Sequence, residues 1–211
     1  SDLTDKSDGV LYTSDGRDVE MSVASTKAFY AQIAAGLVLA TAIADLVPGA
    51  VHSSSSGQQQ LLAALRELPD RMAETLARRD QIATAAHQFG PPRRYWAIVG
   101  NGPNQIAARE IRIKLSELCY KSIACDATED KKHIDLSSEP LILVCAAGLV
   151  GGTADDVAKE VAIYKAHKAT PIVIATEADE RFSAAAAVLS VPAVDPALGF
   201  LGAAHVLLEP L

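Results

Sequence analysis

Residues 95–105 read Tyr95-Trp-Ala-Ile-Val-Gly100-Asn-Gly102-Pro-Asn104-Gln105. A short unbroken apolar run is the pattern of a strand buried on both faces. Gly100, Gly102 and Pro103 end it, and helical spacing follows over about 105–119. The unit then recurs. Pro140-Leu-Ile-Leu-Val-Cys145 is a second apolar strand, with a helix from Thr153 to Lys168. Pro171-Ile-Val-Ile-Ala175 and Ala187-Val-Leu-Ser-Val191 are two more, and a last helix starts near Pro196. Strands alternating with helices predict an α/β fold over 93–211, a three-layer parallel sheet with helices on both faces.

Upstream, Gly90-Pro91-Pro92 marks a boundary. Before it, Leu61, Leu62, Leu65, Leu68, Met72 and Leu76 recur at helical spacing, predicting helices over about 58–77 and 80–88. Ser53-Ser-Ser-Ser56-Gly57 has linker composition. Residues 26–46 form a long alanine-rich helix, with Ser25 or Thr26 as N-cap and Pro48-Gly49 as its stop. Gln32 and Thr41 interrupt its apolar run, so it reads as a buried helix rather than a membrane span. Val10-Leu-Tyr-Thr13 has a short strand pattern, followed by an Asp15-Gly16 turn. The chain thus divides into 1–48, a connecting segment 49–92, and 93–211.

The 211 residues are 49% hydrophobic, enough for a sizeable core. A net charge of -7, with scattered basic residues, argues against nucleic acid as a partner. Cys119, Cys125 and Cys145 form no CxxC pair, so no metal site is expected, and their sparse use fits a reducing cytoplasm. The polar opening Ser1–Lys6 does not read as a signal peptide.

Chemistry concentrates between 110 and 133. Glu110, Lys114 and Glu117 fall at i, i+4 and i+7, one polar stripe on a helix, and His133 follows sixteen residues later. A base, a cation and a second proton carrier are the means of moving a proton beside a carbonyl carbon. The same spacing also suits a solvated salt-bridge stripe. Gly100–Gln105 occupies the position where doubly wound folds bind ligands, yet it lacks the third glycine of a dinucleotide loop, and a structural turn accounts for it. Gly151-Gly-Thr153 could hold an anion at a helix start or simply place Thr153 as an N-cap.

Two strings carry a family resemblance. Glu20-Met-Ser-Val23-Ala-Ser25-Thr26-Lys27-Ala-Phe29 resembles the V-A-S-T-K-A-F signature of the glucosamine-6-phosphate synthases, the isomerizing glutamine–fructose-6-phosphate aminotransferases. Ala108-Arg-Glu110-Ile-Arg-Ile-Lys114-Leu-Ser-Glu117-Leu-Cys-Tyr120 resembles their E-G-A-L-K-L-K-E-I-S-Y helix, and His133 falls in register with their K-H-G-P histidine. The isomerase part of that family is a pair of flavodoxin-like sugar isomerase (SIS) domains. The resemblance implies that residues 1–48 are the tail of a first SIS domain and 93–211 a nearly complete second one. It implies Glu117 as the base moving a proton between C1 and C2, with Lys114 beside it. His133 is implied to open the sugar ring, supplied from a neighbouring subunit, and Val23 and Ser25 to contact the sugar phosphate. It further implies no cofactor, a sugar phosphate such as fructose 6-phosphate as ligand, and at least a homodimer.

The chain departs from the pattern in three ways. Ile134-Asp135 stands where the family has Gly-Pro after the histidine. The S-x-S-G-x-T phosphate cradle is not found in the sequence. Neither are the amino-terminal glutamine-hydrolysing domain and the carboxyl-terminal lysine loop, so Ser1 and Leu211 read as cuts through a longer protein or the ends of a divergent relative. Two function classes therefore stand: the isomerase part of an aminotransferase, and a non-catalytic SIS-type module for phosphosugar binding or assembly. A nucleotide-dependent oxidoreductase ranks below both.

Overall fold

The computed structural model describes residues 2–14, 25–47, 55–133 and 136–208. It forms two compact units, Ser1–Leu65 and Arg66–Leu211. In the first, α1 spans Asp2–Asp5 and α2 spans Thr26–Leu46. Ser25 caps α2 by accepting from the Ala28 N–H at 3.1 Å, satisfying one of the donors a helix start leaves open. Two expectations fail here. Val10–Thr13 is irregular rather than a strand, and Val10, Leu11 and Tyr12 are exposed. A strand needs a neighbour for its backbone hydrogen bonds, and the described residues of this unit offer none. The helix expected to be buried has no buried residue. By length and composition α2 could cross a membrane, with a mean hydropathy of 1.6.

Helix α3, Ser55–Leu76, begins within the serine stretch read as linker. Pro69 lies inside it, removing the backbone hydrogen bond to Leu65. Helix α4, Arg79–Phe89, follows. The second unit therefore takes in helical residues ahead of 93. Arg78, between the two helices, donates to Ser190 O at 2.9 Å and to Glu177 Oε2 at 2.8 Å.

The sheet then runs β1 (Trp96–Gly100), α5 (Asn104–Leu118), β2 (Ala124–Asp126), α6 (Thr128–Lys131), β3 (Leu141–Cys145), α7 (Gly151–Ala166), β4 (Thr170–Thr176), β5 (Ala187–Val191) and α8 (Gly199–Leu208). All pairings are parallel, in the order β2-β1-β3-β4-β5. This confirms the α/β fold and its flavodoxin-like order. β2 is the strand that the sequence reading did not anticipate.

One register row places Asp126, Val99, Val144, Val173 and Val188 side by side. Val99, Val144 and Val173 face α7, where they pack with Val157, Val161 and Tyr164 in the core. On the other face Leu141, Leu143, Ile172 and Leu189 meet Leu115 of α5 and Ile82 and Ala85 of α4 around an apolar cavity of about 80 Å³. Helices α5 and α8 also pack together. So α4, α5 and α8 cover one face, while α6 and α7 cover the other. Right-handed crossovers require this split, because the chain moves one way across the sheet through α5 and the opposite way through α6 and α7.

Candidate active site

Order 2-1-3-4-5 puts its topological switch point between β1 and β3. The loop after β1 is built as a turn. A Cβ on Gly100 would lie 2.4 Å from Asn104 O, so the following helix turn requires glycine. Asn101 Nδ2 donates to Thr128 Oγ1 at 2.7 Å, and Thr128 N–H donates back to Asn101 Oδ1 at 3.2 Å. Buried Asn104 Nδ2 donates to Ala147 O at 2.9 Å, tying the loop after β1 to the loop after β3. The structural reading of Gly100–Gln105 holds. The helix α7 begins at Gly151 with Val150 as its N-cap, so Thr153 lies inside the helix and is not the expected cap.

A cleft of about 680 Å³ opens at the carboxyl ends of β3 and β4, with Thr176, Asp179 and Arg181 in its wall. Arg181 is held by Asp179 at 2.7 Å and lies 3.7 Å from Asp155. That hydrogen bond holds the Asp179 carboxyl below the usual carboxylate range. None of the sequence-nominated residues lines this cleft.

The nominated residues lie elsewhere. Lys114 sits on the inner side of α5, only 5% exposed. Its Nζ lies 3.3 Å from Glu110 Oε1, and that carboxylate is itself largely covered. Glu117, on the last turn of α5, is exposed, and its carboxylate has no hydrogen bond or ion pair among the described residues. The stripe is thus divided: a buried ion pair, then one uncommitted carboxylate a turn further on. A solvated salt-bridge row would not bury the lysine.

His133 follows α6 on the opposite face of the sheet. It is exposed, with Nε2 3.7 Å from Glu129 Oε1. The segment is anchored beside it. Lys132 bonds Glu129 at 2.8 Å and Glu160 of α7 at 3.0 Å. These bonds lower the Glu129 carboxyl and raise the Lys132 ammonium. The buried Tyr164 hydroxyl donates to Thr128 O, and desolvation with the nearby Glu160 carboxylate pushes that phenol well up. Sequence reading passed over Glu160, which appears as one more charge on an amphipathic helix. Ser25 serves as the α2 cap, and Val23 lies outside the described residues, as does Ile134-Asp135. Among the described residues, no cluster of His, Cys, Asp and Glu could hold a metal ion.

In one chain, then, α5 brings Lys114 and Glu117 to one face while His133 stands on the other. The sheet lies between them.

No family model matches the chain. Against curated proteins it is 34% identical over 133 residues to the glutamine–fructose-6-phosphate aminotransferase (isomerizing) of Haemophilus influenzae, covering 63% of this chain and 21% of that protein. It is 31% identical over 201 residues to the Thermus thermophilus enzyme of the same name, covering 94% of this chain and 32% of that one. The chain therefore spans about a fifth to a third of the length of these relatives. Among solved structures, the C-terminal domain of glucosamine-fructose-6-phosphate aminotransferase from Francisella tularensis superposes with a TM-score of 0.75 at 20% identity, covering 90% of this chain and 54% of that one. The Vibrio vulnificus NanR protein, solved with ManNAc-6P, gives 0.52 at 14% identity, covering 74% and 61%. By sequence, the chain is similar to part of the isomerizing glutamine–fructose-6-phosphate aminotransferases, and it shares the fold of the C-terminal domain of one of them.

Proposed function

We propose that this chain carries the isomerase step of a glutamine–fructose-6-phosphate aminotransferase, in which fructose 6-phosphate and ammonia give glucosamine 6-phosphate. The observation that carries this reading is the arrangement on α5, with an uncommitted Glu117 one turn beyond a buried, charge-paired Lys114. Converting a 2-keto sugar, or its imine, to the aldose removes a proton from C1 and returns one at C2. A carboxylate held over the enolate-like intermediate can perform both transfers. A neighbouring ammonium offsets the negative charge that develops between them. Lys114 is already partly desolvated, so its field acts at greater strength than in water.

His133 is the ring-opening group in this reading, and Ser25 and Val23 are contacts for the sugar phosphate. Because the sheet separates His133 from Glu117, one copy cannot offer both to the same sugar. The reading therefore requires at least a homodimer, with the histidine of one copy completing the site of another. The test is turnover of fructose 6-phosphate plus ammonia by the natural full-length protein and by its Glu117→Gln variant. The amide keeps the shape and cannot accept the proton, so kcat should fall by about 10²–10⁴-fold with little change in sugar binding. Equal rates would reduce Glu117 to a surface charge.

A second reading, a non-catalytic phosphosugar-binding module, is favoured by the carboxyl-edge cleft. That cleft lies on the carboxyl edge of the sheet, the edge on which doubly wound folds take ligands, though beside the switch point rather than at it, and the NanR neighbour was solved with a sugar phosphate. Sugar-phosphate binding that survives Glu117→Gln, Lys114→Gln and His133→Ala, without turnover in the parent protein, would select it.

A further inference from the structure

Lys131 is 4% exposed, at the end of α6. Among the described residues its ammonium has neither an ion pair nor a hydrogen bond, although its neighbour Lys132 has two acidic partners. Its stem is buried while its ammonium ends at solvent, the geometry of a snorkelling lysine that can take an anion where it emerges. Lys131 does face an opening. It lines a cleft of about 430 Å³ at the amino edge of the sheet, between the starts of β1 and β2, together with Tyr95, Trp96, Ser122 and Ser138. The acid beside Ser138, Glu139, is paired with Arg93 at 3.5 Å rather than with Lys131.

We propose that this amino-edge cleft is an anion-binding site, with Lys131 as its cation, the exposed Ser122 hydroxyl as a donor and Tyr95 and Trp96 as an aromatic wall. Its volume suits a small metabolite rather than a macromolecule. The ligand is a small organic molecule bearing a phosphate or carboxylate group, bound by its oxyanion to Lys131. Doubly wound folds place their reacting ligands at the carboxyl edge, so an occupant here acts as an effector and not as a substrate. The assignment is independent of the isomerase reading, since it concerns binding at a cleft lined by neither Lys114, Glu117 nor His133.

Trp96 is the only tryptophan of the chain and lines the cleft, so it reports occupancy directly. Its fluorescence should change saturably on titration with inorganic phosphate, with glucose 6-phosphate and with citrate at constant ionic strength, and the order of the three affinities tells phosphate from carboxylate preference. Lys131→Gln should weaken the tightest of them by at least about tenfold, the range for a lost charge-assisted hydrogen bond. Lys159→Gln, which alters an exposed surface pair, should leave it unchanged. If Lys131→Gln fails to fold, Ser122→Glu decides, because a tethered carboxylate at this exposed position should pair with Lys131, abolish anion binding and raise the melting temperature. No saturable change with any of the three anions, or equal affinity in the Lys131→Gln or Ser122→Glu protein, would overturn the proposal.

Discussion

Lys114 and Glu117 are three positions apart on one helix and occupy opposite electrostatic settings. Lys114 has lost most of its hydration and depends on Glu110 at 3.3 Å for compensation, whereas Glu117 retains water. A buried pair is sensitive to the removal of one partner, because the other charge is then stranded. Lys114→Met should therefore lower stability by about 1–3 kcal/mol, and adding Glu110→Gln should restore part of the loss. Denaturant melts of the two single variants and the double variant would show this, and strict additivity would mean the two side chains do not interact. Asp179 offers a pH-dependent counterpart. Its carboxyl is lowered by hydrogen bonding to Arg181, so its contribution is present above the unfolded carboxylate pKa and is lost as pH falls through the lower folded value. Asp179→Asn should accordingly cost stability at pH 7 and progressively less at a strongly acidic pH, well below the ordinary carboxylate range. Thermal melts at both pH values would detect the difference, and an equal loss at both would contradict it.

At the scale of elements, the loop after β3 and the start of α8 are locked by two glycines. Gly148 has φ +74°, and a Cβ on Gly199 would sit 2.5 Å from Gly148 Cα. Gly199→Ala should cost about 1–3 kcal/mol through forced backbone movement, measurable as a lowered denaturation midpoint. Wild-type stability in that variant would mean the crossing is loose. The sequence made some of these elements plain and hid others. β1, β3 and β4 are covered on both faces, so they read as continuous apolar runs. β2 is a three-residue edge strand, Ala124-Cys-Asp126, with neither a β-branched residue nor an apolar run to reveal it. Val10–Thr13 carries the opposite lesson, since a strand-like pattern has no meaning without a partner strand. The stripe on α5 was legible as spacing, but its division into a buried pair and a free carboxylate depends on which side of the helix meets the sheet. Lys131 gave no signal, because lysines inside a run such as Asp130-Lys131-Lys132 read as solvated.

For the whole molecule, the decisive feature is the sheet standing between α5 and His133. If each site takes Glu117 from one copy and His133 from another, two defective proteins can complement one another. Full-length Glu117→Gln and His133→Ala proteins, mixed and allowed to exchange, should form mixed pairs holding one intact site each, and reach about a quarter of wild-type turnover at random pairing. A mixture no faster than the average of its parents would show that both groups act within a single copy. The apolar side chains left exposed on α2, Val38, Leu39, Ile43 and Leu46 among them, provide surface for such pairing. Shared sites also tie the rate per chain to abundance. Below the concentration at which copies find one another, each chain would idle with its own groups intact, and dilution alone would silence the reaction without any inhibitor being present.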